Sequence, residues 1–379
     1  MRLSDFDYNL DEKLIAQYPV KAREKSRLLV LNRKSGEIKH RVFSDITDYL
    51  NRGDLLLLNN TKVLPARLFG KKAKTGGRVE VLLLKRVSKN RHADRVGINK
   101  NGCISPSDPS LIKGGRGRYI SRVDRWEALI KGRTNIGQEI IFEEGLTGRI
   151  TGYRDKEIRE IVFSSNENPS EILQRIGKTP LPPYIKRGPE EIGSEDTGRY
   201  QTVYARHDGS IAAPTAGLHF TNKLLRKIEL KGVEISYITL HIGRGTFQPV
   251  REDNIERHKM ETEDFEVTRN ALAAIRMAIN EGRRIITTGT TSTRVIESVI
   301  EDIRGNHYEA LKGNTDLFIY PGYRFKAING LITNLHLPMS TLFMLVSAFA
   351  GTELIKKAYD EAVKNRYRFY SYGDAMLIM

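Results

Sequence analysis

Three histidines stand where elements of the chain end: His219 in Ala212-Ala213-Pro214-Thr215-Ala216-Gly217-Leu218-His219-Phe220-Thr221, His241 in His241-Ile242-Gly243-Arg244-Gly245-Thr246-Phe247, and His336 in Asn334-Leu335-His336-Leu337-Pro338. Imidazole gives and takes a proton near neutral pH, so these side chains are the natural candidates for acid–base work. None is paired with a second histidine one helical turn away, and no metal site is expected. Each would serve equally well as a buried histidine that satisfies backbone groups. The loop around His219 carries the strongest signal, because small residues let a backbone approach a ligand closely. A further stretch, Gly289-Thr290-Thr291-Ser292-Thr293, joins a strand pattern from Arg284 to Thr288 to a helical one. Free N–H groups and the positive end of the helix dipole favour an anion there, with the hydroxyls as extra donors. Phosphate and the carboxylate of an amino-acid moiety fit alike. The stretch is neither a Walker loop nor a dinucleotide fingerprint.

Elements that would carry these residues alternate along the chain. Ser44 is read as the cap of a short helix from Asp45 to Asn51, followed by a buried strand from Asp54 to Leu58. Asn59-Asn60-Thr61-Lys62 then suits a turn or a binding edge. Past Pro65 the pattern changes to short strands: Arg67 to Phe69, Arg78 to Leu84, Trp126 to Ile130, Glu139 to Phe142, Leu146 to Tyr153 and Ile158 to Phe163. With glycine-rich turns between them, they predict a small closed β-barrel or sandwich. A polar, loop-like stretch from Val87 to Asp124 interrupts this series. Ser170 is read as the cap of a helix through Ile176, and Pro180 to Arg187 as a stiff extended segment. Thr221 caps a helix that reaches Leu230, and a strand runs from Val233 to Ile242. Thr268 opens an amphipathic helix with Leu272, Ile275 and Ile279 on one face.

Composition narrows the function classes. A chain of 379 residues has room for two domains. Its single cysteine, Cys103, excludes a disulfide framework and a cysteine-held iron–sulfur cluster. The opening residues lack a signal-peptide core, and the longest apolar run, Leu342 to Ala350, is too short to span a bilayer. A cytoplasmic protein without membrane attachment is expected. The net charge is +16, and the stretch from Arg67 to Arg133 alone holds 18 Lys/Arg against 5 Asp/Glu, a local +13. Basicity concentrated in this way is the footprint of a polyanionic partner, although a solvated surface would look similar.

Several long motifs are shared with one known family. They are Tyr200-Gln201-Thr202-Val203-Tyr204-Ala205, the loop ending in Gly217-Leu218-His219-Phe220-Thr221, Gly243-Arg244-Gly245-Thr246-Phe247 and His258-Lys259-Met260-Glu261. Gly289-Thr290-Thr291-Ser292, Thr315 to Gly322 and Ser371-Tyr372-Gly373-Asp374-Ala375-Met376 complete the set. The sequence closely resembles the S-adenosylmethionine:tRNA ribosyltransferase-isomerases of queuosine biosynthesis over nearly all its length, apart from about Val87 to Asp124. That resemblance implies transfer of the ribosyl part of S-adenosylmethionine to 7-aminomethyl-7-deazaguanine at the tRNA wobble position. Adenine and methionine leave, and epoxyqueuosine is formed. It also implies a larger α/β domain with a distorted barrel-like mixed sheet (residues 1–64 and 164–379), interrupted by an inserted basic β-barrel domain (residues 65–163).

For that reaction a base must take a proton from the ribose carbon beside the sulfonium, adenine must leave with a proton or strong hydrogen bond, and the amine must attack uncharged. His219, His241 and His336 are the candidates for these transfers, with His219 first. Thr290, Thr291 and Ser292 would hold the methionine carboxylate, Phe220 and Phe247 would stack on adenine, and Thr215 and Asn334 complete the expected substrate contacts. Arg67, Lys71, Lys72, Arg78, Lys186, Arg187 and Arg199 are the expected tRNA phosphate contacts. S-adenosylmethionine is a consumed cosubstrate, so no cofactor or metal is expected, and the partners are S-adenosylmethionine and the modified tRNA, bound by a monomer. The competing reading is a non-catalytic RNA-binding protein. A conventional methyltransferase lacks support because no glycine-rich strand–loop–helix opens the chain. Neutralising Lys71, Lys72 and Arg78 together should weaken tRNA binding and lower the slope of log affinity against log salt by about 2–3, at roughly 0.9 for each phosphate no longer neutralised. Affinity measured across a salt series checks this, and an unchanged slope counts against it.

Overall fold

Leu55-Leu56-Leu57-Leu58 is apolar at every position because its strand is buried on both faces. In the computed structural model, which describes residues 1–87, 123–188, 190–247, 250–305 and 309–379, Leu55 and Leu57 belong to one core and Leu56 and Leu58 to another. Cys103 and nearly all of the polar stretch after Val87 lie outside the described residues.

Strands are numbered in chain order: β1 (Arg27–Leu31), β2 (Ile38–Val42), β3 (Leu55–Asn59), β4 (Thr61–Val63), then β5 (Arg67–Lys72), β6 (Arg78–Arg86), β7 (Val123–Lys131), β8 (Glu139–Ile141), β9 (Thr147–Tyr153) and β10 (Ile158–Ser164). After these come β11 (His207–Ser210), β12 (Glu234–Leu240), β13 (Glu263–Val267), β14 (Ile285–Thr288), β15 (Leu311–Thr315), β16 (Gly330–Asn334) and β17 (Ala375–Ile378). The α-helices are α1 (Pro169–Ile176), α2 (Ser194–Arg199), α3 (Asn222–Leu230), α4 (Arg269–Asn280), α5 (Thr290–Arg304), α6 (Thr341–Ala350) and α7 (Thr352–Lys364).

Two compact units result. One comprises Met1–Val63, Leu181–Lys186 and Gly198–Met379, and the other Leu64–Pro180 and Arg187–Thr197. The first contains a nine-stranded mixed sheet in the order β15-β13-β12-β3-β14-β16-β17-β1-β2. At its centre β12, β3, β14 and β16 are mutually parallel neighbours, so their carboxyl ends share one edge. One face is covered by α4, α5, α6 and α7, through residues such as Leu272, Ile296, Phe343 and Tyr359. The other face carries α3 and the 3-10 helix Phe43–Asp48, which contribute Leu224, Ile228, Phe43 and Ile46. A two-stranded parallel pair, β4 with β11, accompanies the sheet.

The second unit holds a closed antiparallel barrel in the order β10-β7-β6-β5-β8-β9. Alternate residues of β6 point inward, with Val79, Val81 and Leu83 buried. All six strands expected from the sequence are present, and the α/β class with a small all-β barrel holds.

Two expected helix starts differ. The turn after β2 is the 3-10 helix Phe43–Asp48, and its cap position is Val42, whose N–H donates to the Asp45 carboxylate at 3.2 Å, so Ser44 lies inside the turn and does not cap it. At α1 the cap is Asn168, accepting from Ser170 N at 3.2 Å. Pro169 takes the first helical position, where its missing N–H costs nothing. Thr221 and Thr268 cap α3 and α4 as read. Among the described residues no helix is long and apolar enough to cross a membrane. Leu57, wholly buried between β12 and β14, sets the scale of the core: Leu57→Ala should cost about 2–5 kcal/mol in urea unfolding. Lys312→Ala, on an exposed stretch of β15, should shift stability by under about 0.5 kcal/mol.

Candidate functional site

The four parallel strands finish on polar residues. Asn59 ends β3, His241 follows β12, Thr288 ends β14 ahead of the Gly289 turn, and Asn334 ends β16 with His336 two residues on. The carboxyl edge of a parallel sheet is where open α/β folds bind ligands. The Asn59 amide is fully buried and tied on all sides: Nδ2 donates to Leu240 O at 3.0 Å and to Thr291 Oγ1 at 3.4 Å, while Oδ1 accepts from Thr61 N and Leu240 N, each at 3.1 Å.

Beside it, His241 is half-buried. Its Nδ1 meets Thr61 Oγ1 at 2.9 Å, and Thr61 Oγ1 donates onward to Ser210 Oγ at 3.0 Å. Thr61 therefore accepts from His241, which places the proton on Nδ1 and the lone pair on Nε2. Gly209 has φ +152° and lies under the ring, where a Cβ would come within 2.6 Å of Nδ1. Burial lowers the His241 pKa, opposed chiefly by the Asp264 carboxylate, with Asp208 and Glu266 adding to it and His207 acting against it.

His219 sits differently. Residues 211–220 run over the edge as a loop with one 3-10 turn, Thr215–His219, and of these only Thr215 is not buried. Gly217 is required because a Cβ would lie 2.1 Å from the Tyr204 hydroxyl. Ser26 Oγ donates to Arg23 O at 3.2 Å and so accepts from His219 Nδ1 at 2.7 Å. The lone pair on Nε2 faces Asn334 Nδ2 at 3.3 Å, and that amide also donates to Tyr370 O at 3.0 Å. Burial, followed by the Arg368 and Arg23 guanidiniums, holds the His219 pKa at about 3. His336 is likewise held at about 3 by burial. Its Nε2 pairs with Thr333 Oγ1 at 2.8 Å, its backbone N–H donates to Tyr359 Oη at 3.1 Å, and its carbonyl accepts from the Tyr8 hydroxyl. Both imidazoles are uncharged at neutral pH and bind a proton weakly. His241 is the one with an accessible lone pair.

The remaining expected substrate contacts divide. Thr290 and Thr291 line a cleft with Arg294, Phe318 and Leu345, but its room is about 10 Å3, no more than one water. Arg294 is committed there to Glu263, to Leu317 O at 2.8 Å and to Thr315 O at 3.4 Å. Ser292 Oγ turns back to Thr288 O at 2.8 Å. Phe220 is fully buried and edge-on to Phe43, with centroids 4.9 Å apart, so its ring is a core contact and not an open stacking face. Phe247 closes the turn Arg244–Phe247, and its side chain lies outside those described. Two buried polar atoms at the edge, Asn334 Oδ1 and Thr288 Oγ1, have no hydrogen-bond partner among the described residues. Among the described residues no three His, Cys, Asp or Glu side chains come together to hold a metal.

The expected phosphate contacts also separate. Lys71 and Arg78 are exposed and face each other across β5 and β6. Lys186 is exposed, and Lys72 is half-buried with Nζ donating to Arg133 O at 2.6 Å. Arg67 is engaged with Glu80 at 3.4 Å. Arg187 forms a buried ion pair with Asp196 at 3.2 Å, and Arg199 donates to Val20 O and Lys21 O at 2.6 and 3.1 Å. These last three hold the fold together and are poorly placed to follow an RNA backbone. Sequence reasoning passed over Asn59 as a clamp, Ser26 as the partner of His219, and Arg23. Only Asn59 carried a signal, the polar cluster closing its strand.

A family model described as "Queuosine biosynthesis protein" matches residues 3–378. A protein of Halothermothrix orenii named S-adenosylmethionine:tRNA ribosyltransferase-isomerase is 47% identical over the full length of both chains. One of the same name from Caldanaerobacter subterraneus subsp. tengcongensis is 46% identical over the same extent. The crystal structure of S-adenosylmethionine tRNA ribosyltransferase from Thermotoga maritima is 33% identical, covers 99% of this chain and 100% of its own, and superposes with a TM-score of 0.52.

The low pKa of His219 has a readable sign. Between about 6.5 and about 3 the unfolded chain binds a proton that the folded chain excludes. Stability from this site is therefore full above pH 6.5 and is lost as pH falls, at about 1.4 kcal/mol per pH unit. Urea unfolding from pH 7 to 4 should show a shallower acid decline for His219→Gln than for the unmodified protein. Parallel curves would refute the neutral, buried imidazole.

Proposed function

The chain belongs to the family of queuosine biosynthesis proteins, and from that premise we propose that it is an S-adenosylmethionine:tRNA ribosyltransferase-isomerase acting on 7-aminomethyl-7-deazaguanine at the tRNA wobble position. The observation that carries this reading is end-to-end similarity at 46–47% identity to two proteins named for that activity. Those relatives are named as enzymes, which favours chemistry over RNA binding alone. The ribosyl group moves from S-adenosylmethionine to the aminomethyl nitrogen, adenine and methionine leave, and epoxyqueuosine results. S-adenosylmethionine is consumed, so no resident cofactor takes part, and the enzyme works in the cytoplasm as a monomer.

His241 is the proton acceptor in this reading. Its Nε2 lone pair is available, its ring is fixed by Thr61 and Gly209, and the nearby carboxylate of Asp264 supports the protonated form. It takes the proton from the ribose carbon that the sulfonium acidifies. Adenine's departing nitrogen needs a proton or a donor. Thr288 Oγ1 is a hydroxyl donor at the same edge, and Asn334 Oδ1 is the acceptor suited to an amino group. Thr215, the unburied residue of the loop, completes the contacts. His219 acts as a fixed hydrogen-bond acceptor and not as the exchanging base. Lys71, Lys72, Arg78 and Lys186 engage phosphates.

Incubation with S-adenosylmethionine and tRNA bearing the aminomethyl base should release free adenine in step with ribosylated tRNA. tRNA binding without adenine release would leave the non-catalytic reading standing, and methylated tRNA would indicate a methyltransferase. His241→Ala should lower single-turnover release roughly 10²–10⁴-fold with tRNA affinity unchanged. Loss of similar size in His219→Gln but not in His241→Ala would return the base to His219.

A further inference from the structure

His219 shares a cleft of the first unit with Arg23, Arg199 and Tyr372. Among the described residues both arginines bond there to main-chain oxygens. Arg23 donates from Nη1 to Leu218 O at 3.0 Å and from Nη2 to Gly198 O at 2.7 Å, and Arg199 donates to Lys21 O and Val20 O. Neither forms an ion pair among the described residues. Nearby carboxylates are taken: Glu24 accepts from Thr221 Oγ1 at 2.6 Å, and Asp374 accepts from Arg27 N at 3.0 Å and from Arg368 N at 2.8 Å. Arg199 Nε is buried with no acceptor among the described residues. Burial, with Arg199 close by, lowers the pKa of Arg23. Two half-buried guanidiniums held beside one another repel, and an anion between them relieves that repulsion.

We propose that this cleft is the subsite for the carboxylate of the methionine moiety of S-adenosylmethionine, an assignment that rests on the function proposed above. The open room is about 20 Å3, enough for an oxyanion and far too little for a purine. Backbone phosphates are met by exposed side chains free to follow the strand. Here each guanidinium is pinned by two carbonyls, which fixes its remaining edge for a small planar carboxylate. The subsite replaces the expected one at the start of α5, where the hydroxyls of Thr291 and Ser292 are already engaged.

Decarboxylated S-adenosylmethionine, which keeps the sulfonium, ribose and adenine, isolates the contact. By calorimetry the unmodified protein should prefer S-adenosylmethionine to the decarboxylated ligand roughly 10- to 100-fold. Arg23→Gln and Arg199→Gln should each erase much of that preference while binding the decarboxylated ligand as before. Arg199→Lys, which keeps the charge but not the fork, should fall between. Equal loss for both ligands would make the arginines scaffold only. An unmodified protein indifferent to the carboxylate, or a loss confined to tRNA affinity, would overturn the assignment, the latter in favour of an RNA phosphate. If the unmodified protein binds no S-adenosylmethionine at all, the proposed function falls, and the subsite with it.

Discussion

A buried amide fixes the sheet edge on which the proposed chemistry depends. Asn59 sits at the end of β3, and its two amide atoms make four hydrogen bonds to three neighbours: the last residue of β12, which both atoms engage, the start of β4 and the first turn of α5. An unsatisfied polar atom at such a position costs about 1–3 kcal/mol, so the amide enforces one mutual placement of three segments. Two of them bear site residues directly. Thr61 Oγ1 pairs with His241 Nδ1, and Thr291 lies in the first turn of the helix that follows β14. The leucines of β3 supply cohesion, but the same cohesion would tolerate small slips. Directional bonds at the strand's last residue remove that freedom.

Burial sorts three chemically identical side chains into different roles. His219 and His336 lie in the interior, where desolvation keeps them neutral and their ring nitrogens meet fixed partners. His241 stands half in solvent with carboxylates opposite. The basic side chains divide by the same criterion, since Arg187 is absorbed by its buried ion pair with Asp196 while Lys71 and Arg78 stay in water.

Local signals in the sequence carried the frame well. The leucine run, the threonine caps of α3 and α4, and the alternating barrel strands depend on neighbours within a few residues, and the chain displays them openly. β1 and β2 escaped notice because Arg27-Leu28-Leu29-Val30-Leu31 is a short apolar run that periodicity alone cannot tell from a buried helix segment, and the polar Ile38-Lys39-His40-Arg41-Val42 is an edge strand. The site was legible by residue type and illegible by state. His219 owes its neutrality to burial and to the Arg368 and Arg23 guanidiniums, and its fixed ring to Ser26 and Asn334, which are 193 and 115 positions away along the chain. Phe220 reads as a stacking ring until Phe43 is seen against it.

The pairing of β4 with β11 bears on how this architecture tolerates change over evolutionary time. Thr61 lies beside His207, so strands on either side of the excursion into the second unit pair in one two-stranded clasp, with the entire barrel in the sequence between them. The entropy of closing such an excursion rises only with the logarithm of its length, about 0.6 kcal/mol for each doubling. Residues added or removed between barrel strands therefore leave the clasp, and the strand ends it adjoins, almost undisturbed in free energy. The barrel module can therefore change in length or charge while the carboxyl edge of the sheet keeps its geometry.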